Sequence, residues 1–199
     1  MAEAIVLASA SAARAALLRA AGVAFNIAPA AIDESRIKEE ARRAGDSALS
    51  CAVALAIEKA IVVSRHNQQA LVVGADQVLV AGTEWFDKPC DLAEARAQLL
   101  ALRGRSHELA TAVCVAQAGV PVWRATSVPE LTMRMFGEEF LDAYLAAEGE
   151  ALLGSVGAYR LEGRGAQLFA RIAGDQFAVV GLPLLELLGF LRERGAMPS

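Results

Sequence analysis

Asp76 is the residue of this sequence best placed to do chemistry, because it stands alone among apolar neighbours in Leu71-Val72-Val73-Gly74-Ala75-Asp76-Gln77-Val78-Leu79-Val80. Branched residues on both sides of a Gly-Ala step predict a strand buried on both faces, which an isolated carboxylate enters only with a partner or with access to solvent. Asp76 is therefore expected where the strand opens onto a cleft. The competing reading is that it ends the strand and caps a turn. Val78, Leu79 and Val80 resume the strand pattern before Gly82, which favours the cleft.

Other residue types around the chain suit phosphate chemistry. Ser9 and Ser11 lie between an apolar run and a helical one, with Arg14 in the first helical turn. Free backbone N–H groups and hydroxyls at such a junction can hold an anion, which would also relieve the unfavourable placing of an arginine near the positive end of a helix. A capped helix with a solvated Arg14 is the equal alternative. Asp33-Glu34 follows a proline-broken segment, where acids are solvated, cap the next helix or hold a divalent cation. Lys59 falls one position from an apolar helical stripe and could snorkel to solvent. Pro89 holds Lys88 in an extended conformation. Glycines between Gly154 and Gly165 let backbone approach a ligand, with Arg160, Glu162 and Arg164 as polar groups to line it.

The elements that must position these residues follow from periodicity and punctuation. Strands are expected over 4–7, 23–28, 71–80 and 84–86, then over 107–116, 120–123, 128–133 and 168–172. Helices are expected over 15–21, from Asp46-Ser47 to about 66, over 91–102 with Asp91 and Glu94 at capping-box spacing, over 137–147, and from Pro183 onward. The strands after 107 read as an antiparallel part of a sheet, no internal repeat is present, and a single domain spanning 1–199 is expected.

Composition narrows the function classes. The 199 residues are 55% hydrophobic, yet no apolar run is long enough to cross a bilayer and the start lacks a basic signal-peptide region. A cytoplasmic protein with no membrane partner is expected. The net charge of -4 opposes binding of a nucleic-acid polymer, so any nucleotide bound should be free and small. Cys51, Cys90 and Cys114 lack metal-ligand spacing, and His66 and His107 are the only histidines. Any metal would be magnesium or manganese on carboxylates. The Gly-rich stretch does not give the spacing of a nicotinamide site. Lys38, Lys59 and Lys88 are the only lysines among 19 basic residues.

Taken in order, Leu7-Ala8-Ser9-Ala10-Ser11 with Arg14, Asp33-Glu34, Glu58-Lys59-Ala60, Gly74-Ala75-Asp76-Gln77, Lys88-Pro89, Gly157-Ala158-Tyr159, Glu162-Gly163 and Gly174-Asp175 with Val180-Gly181-Leu182-Pro183 resemble the Maf family of nucleotide pyrophosphatases, also called septum formation inhibitor-like. The resemblance runs through nearly the whole chain. It implies an α/β fold, a mixed and partly antiparallel sheet flanked by helices in two lobes around a central cleft, as in Maf and ITPase-like folds, and metal-dependent hydrolysis of a nucleoside triphosphate to the monophosphate and pyrophosphate. It places the proton acceptor on Asp76, phosphate binding on Ser9, Arg14, Lys59 and Lys88, and metal binding on Glu34 and Asp76. The chemistry agrees: attack at a negatively charged phosphorus needs cations, a metal and a carboxylate to deprotonate water.

Positions Ala13, Gln77 and Glu162 correspond to those that set the base. Gln and Glu at the latter two resemble the 7-methyl-GTP subgroup, whereas the dTTP and UTP group has Thr and Gln there. The chain departs from the pattern at Ala12, where proline is usual, and at Ala13, where the 7-methyl-GTP subgroup has a large aromatic. A non-standard triphosphate, with 7-methyl-GTP first, is the expected substrate and dTTP or UTP the alternative. A regulator of cell division that binds nucleotide without turnover is the alternative of another class. A homodimer stays open.

Overall fold

The computed structural model describes residues 3–198; Met1, Ala2 and Ser199, the ends of the span read as one domain, lie outside the described residues. The chain runs β1 (Ala4–Leu7), α1 (Ala12–Ala20), β2 (Asn26–Ile27), α2 (Glu34–Ala44), α3 (Ala48–Ser64), β3 (Ala70–Ala81), β4 (Glu84–Phe86), α4 (Leu92–Leu102), β5 (Ser106–Gln117), β6 (Val120–Ser127), β7 (Glu130–Met133) and α5 (Glu138–Glu148). Three short 3-10 turns between Gly149 and Leu168 follow, then β8 (Phe169–Ala173), α6 (Gln176–Val180) and α7 (Leu184–Glu193).

These strands form a mixed sheet in the order β2-β1-β3-β5-β7-β8, with β4 paired to β3 and β6 to β5. β1 lies parallel to β2 and β3, whereas β3 and β5 are antiparallel, with Asp76 opposite Ala112 and Gln77 opposite Thr111. The expected α/β class and mixed sheet are therefore present. The lobes are two halves of this one sheet. β3 and β5 run through both, carrying β1, β2 and β6 on one half and β4, β7 and β8 on the other.

Strand alternation sends successive β3 residues to opposite faces. Leu71, Val73 and Ala75 pack with Leu18 of α1 and with Leu184, Leu187 and Leu191 of α7, while Val72 meets Val63 of α3. On the other half, Leu79 and Ala81 share a core with Leu99 and Leu102 of α4 and Leu141 of α5. Gly74 faces α3 so closely that a Cβ there would fall against Ala56 O and lie 2.6 Å from Ala60 N. The missing side chain lets α3 settle directly onto β3, and Lys59 comes with it.

Several element expectations change. The segment 23–28 pairs only at Asn26–Ile27, an exposed edge, because Val23 turns into the core with α1 instead of joining the sheet. The acids at Asp33-Glu34 open an unforeseen helix, α2, with Asp33 as its N-cap accepting from Arg36 N at 2.9 Å. The segment before Pro183, for which no element was expected, holds the short α6, capped by Asp175. Ser11, Ser47 and Asp91 do cap their helices, and β3 continues past Asp76, so that residue ends no strand.

Candidate active site

Gly74 sets the depth at which α3 crosses β3, so Lys59 and Asp76 meet inside the protein. Lys59 Nζ lies 2.5 Å from Asp76 Oδ1 and 2.8 Å from Glu34 Oε1. The side chains of Lys59 and Asp76 are each only 8% exposed, so neither charge would be tolerable there without the other. Glu34 reaches the same ammonium from the first turn of α2. Its partial burial works against ionisation, but the hydrogen bond from Lys59 and the fields of Lys59, Lys38 and Lys88 hold its carboxyl below the usual range.

Arg14 comes to the same place from the first turn of α1. Its Nε donates to Gly181 O at 2.8 Å, and Nη1 donates to Ala75 O at 2.9 Å and to Ser9 Oγ at 3.2 Å. The guanidinium thus fastens β3 to the turn after α6, and a side chain at Gly181 would crowd it. Burial lowers the pKa of Arg14, with Asp76 and Glu34 pulling it back up. The expected solvated alternative for Arg14 is excluded: it is buried. Nη2 is the part of the fork with no protein partner among the described residues.

Lys88 has no hydrogen bond or ion pair among the described residues and is exposed at the cleft. Its pKa is lowered, first by partial desolvation and then by the neighbouring charge of Arg14, with Glu34 pulling the other way.

One cleft of about 1090 Å³ collects Ser9, Ala13, Arg14, Glu34, Lys59, Asp76, Gln77, Lys88 and Glu162. Every residue to which the resemblance gave a part in catalysis, phosphate, base or metal binding therefore lies on one cavity, whereas Asp33, the other acid considered for a cation, does not line it. Arg160 lines it as well, paired with Glu162 at 3.6 Å and Glu148 at 4.0 Å, whereas Arg164 does not reach it. Two charged lining residues were not foreseen, Lys38 and Asp87. Lys38 stands one helical turn after Glu34, a signal that becomes readable only once α2 is known to be a helix.

Gln77 has a defined orientation. Its Nε2 donates to Thr111 Oγ1 and to Ala178 O, both at 2.8 Å, and the carbonyl can only accept, so the amide nitrogen must face this way. Its Oε1 has no protein partner among the described residues and is the atom left for a ligand.

Among the described residues no three His, Cys, Asp or Glu side chains cluster to hold a metal. Glu34 and Asp76 nevertheless converge on a single cation, Lys59 Nζ, and keep Oε2 and Oδ2 without protein partners. Two converging carboxylates suit a hard divalent ion that completes its shell with phosphate oxygens and water.

The profile of the Maf-like protein family matches residues 4–194. The chain belongs to the Maf-like family. A "Nucleoside triphosphate pyrophosphatase" of Granulibacter bethesdensis is 52% identical over 193 residues, covering 97% of this chain and 98% of the relative. A "7-methyl-GTP pyrophosphatase" of Rhizobium meliloti is 46% identical over 195 residues, covering 98% of each. A Maf-like relative from Hyphomonas neptunium, also named "Nucleoside triphosphate pyrophosphatase", is 47% identical over the full length of both chains. Among the described residues no helix of this Maf-like chain is long and apolar enough to cross a membrane.

Proposed function

We infer that this chain, a nucleoside triphosphate pyrophosphatase, acts on a modified guanosine triphosphate, 7-methyl-GTP first, and uses Asp76 to take the proton from the attacking water. The observation that carries the choice of base is the pair of acceptors in the cleft. Gln77 can offer only its Oε1, and Glu162 offers a carboxylate. A guanine edge presents adjacent N–H donors, and 7-methylation adds positive charge, so two acceptors, one of them anionic, suit it. A uracil or thymine edge carries one donor between two carbonyls and suits them less. Ala13 offers no stacking ring, but Val156, Tyr159 and Leu161 line the same cleft with apolar surface.

The reaction is displacement at the phosphorus nearest the sugar, with water adding as the bond to the bridging oxygen breaks and pyrophosphate leaves. Asp76 orients the water and accepts its proton. Lys59 holds that carboxylate in place, while Lys88 and Arg14 Nη2 neutralise the phosphate chain. Magnesium or manganese, held by Glu34 and Asp76 with the phosphates, would polarise the phosphoryl oxygens and offset the charge that builds up on the leaving group. The relatives named for 7-methyl-GTP support this reading of the base, and those named more broadly leave dTTP or UTP as the alternative.

The test is pyrophosphate release across canonical and modified triphosphates with either metal, for the wild type and Glu162→Gln. The expected result is a preference for 7-methyl-GTP that the substitution reduces by about tenfold while UTP turnover changes little. Equal losses on both substrates would remove Glu162 from base reading.

A further inference from the structure

We propose that Lys38 is a further substrate-binding residue of this site: Asp87 holds its ammonium in the free chain, and the phosphate chain takes that ammonium over on binding. The proposal rests on the reading of the cleft as a triphosphate site. The cations of the cleft differ in how many N–H groups they still have to give. Lys59 is shared between Asp76 and Glu34, and Arg14 makes three hydrogen bonds within the protein. Lys38 makes one, from Nζ to Asp87 Oδ1 at 2.7 Å, although an ammonium has three N–H groups.

Lys38 also points inward. Its side chain is 13% exposed, against 61% and 54% for Arg36 and Glu40 on the outer side of the same helix. It lies one turn from Glu34, lines the same cleft, and contributes to the field that keeps Glu34 ionised. Asp87 directly precedes Lys88, so the pairing brings a second lysine to the free cation of the site.

Asp87 does not depend on Lys38. Its other oxygen accepts from Arg42 Nη2 at 2.9 Å, and Arg42 is itself held over the Trp85 ring, 5.3 Å from the centroid. With the Asp87 side chain 47% exposed, water can replace Lys38 on Oδ1. Lys38 can therefore move to a phosphate without leaving a buried acid unpaired. The exchange sets one exposed carboxylate against several phosphate oxygens, and the more highly charged ligand wins.

The two partners separate under substitution. Binding of inorganic pyrophosphate with magnesium is measured by calorimetry, and kcat and KM with the best triphosphate, for Lys38→Met, Lys38→Arg, Asp87→Asn and the double variant Lys38→Met/Asp87→Asn. Lys38→Met is expected to weaken pyrophosphate binding about tenfold and to raise KM, with Lys38→Arg restoring most of both. Asp87→Asn is expected to bind pyrophosphate as tightly as wild type or more so, because it frees the ammonium, and the double variant should match Lys38→Met alone. If Lys38 only braces Asp87, Lys38→Met and Asp87→Asn will weaken binding alike, and that result overturns the proposal, as does unchanged binding in Lys38→Met. A wild-type chain that neither binds pyrophosphate nor cleaves any triphosphate overturns the triphosphate reading itself, before any variant is compared.

Discussion

Asp76 and Lys59 form a buried pair whose cost is tolerated because the site needs both charges in a place that water barely reaches. Replacing Asp76 by Asn keeps the size and one hydrogen-bond acceptor for Lys59 but removes the carboxylate that we propose takes the proton. Turnover of Asp76→Asn is expected to fall by about 10²–10⁴-fold with triphosphate affinity largely kept, read by single-turnover pyrophosphate release beside equilibrium binding. Unchanged turnover would take the acid out of the mechanism. Asp76 was legible in the sequence because it is a charge set in an apolar run, whereas Lys59 read as a lysine that could snorkel to solvent and entered the site only through the family resemblance. Lys38 and Asp87 were not legible. They stand 49 positions apart in polar stretches, where a charge reads as ordinary surface until the fold brings the two together.

α3 on β3 is the pair of elements that makes the site, and Gly74 is the contact between them. Gly74→Ala would push a methyl into the backbone of Ala56 and Ala60, which no side-chain rotation can relieve. The expected cost is about 1–3 kcal/mol in denaturant unfolding, with a fall in kcat at whatever stability remains, because Lys59 moves with α3 away from Asp76. Stability and kcat equal to wild type would mean the helix has room to spare. Both elements were readable, α3 from its apolar stripe and β3 from its branched run. α2 was not, for a physical reason: of its eleven residues only Ile37 and Ala41 are apolar residues packed on the core, too short a stripe to read among so many charges. Charge pairs from Glu34 to Lys59 and from Lys38 and Arg42 to Asp87 hold it as well. α6 is five residues long, too short for any periodicity.

For the molecule as a whole, strand order was the least legible feature. The parallel placing of β1 beside β3 depends on chain that passes through three intervening helices, whereas the β3–β4 and β5–β6 hairpins are announced by their turns. Global stability also carries a pH signature from a residue that does not line the cleft. His107 is 2% exposed and pairs with Tyr159 through Nε2 at 2.9 Å, and burial, helped by Arg105, lowers its pKa from 6.5 to about 4. The unfolded chain therefore takes up this proton first as pH falls. The stability due to a neutral His107 is complete above about pH 6.5 and is lost progressively towards pH 4, by up to about 3 kcal/mol. Glu34 and Asp87, whose carboxyls are held low, lose their contributions at lower pH, below 4.5 and 3.8. Melting temperature should drop between pH 7 and pH 5 in the wild type and much less in His107→Phe; parallel curves would assign the drop to other groups.

Strands β3 and β5, each 12 residues long, belong to both halves of the sheet at once. A hinge between the halves would have to bend two paired strands at the row that carries Asp76, so the floor of the cavity is fixed from the moment the chain folds. Admission and release of a nucleotide then fall to the rim, to α2 and the residues from 154 to 162, while the acid and its lysine wait already aligned. Nor can either half be severed and expressed alone, since each would lose its central strands to the other.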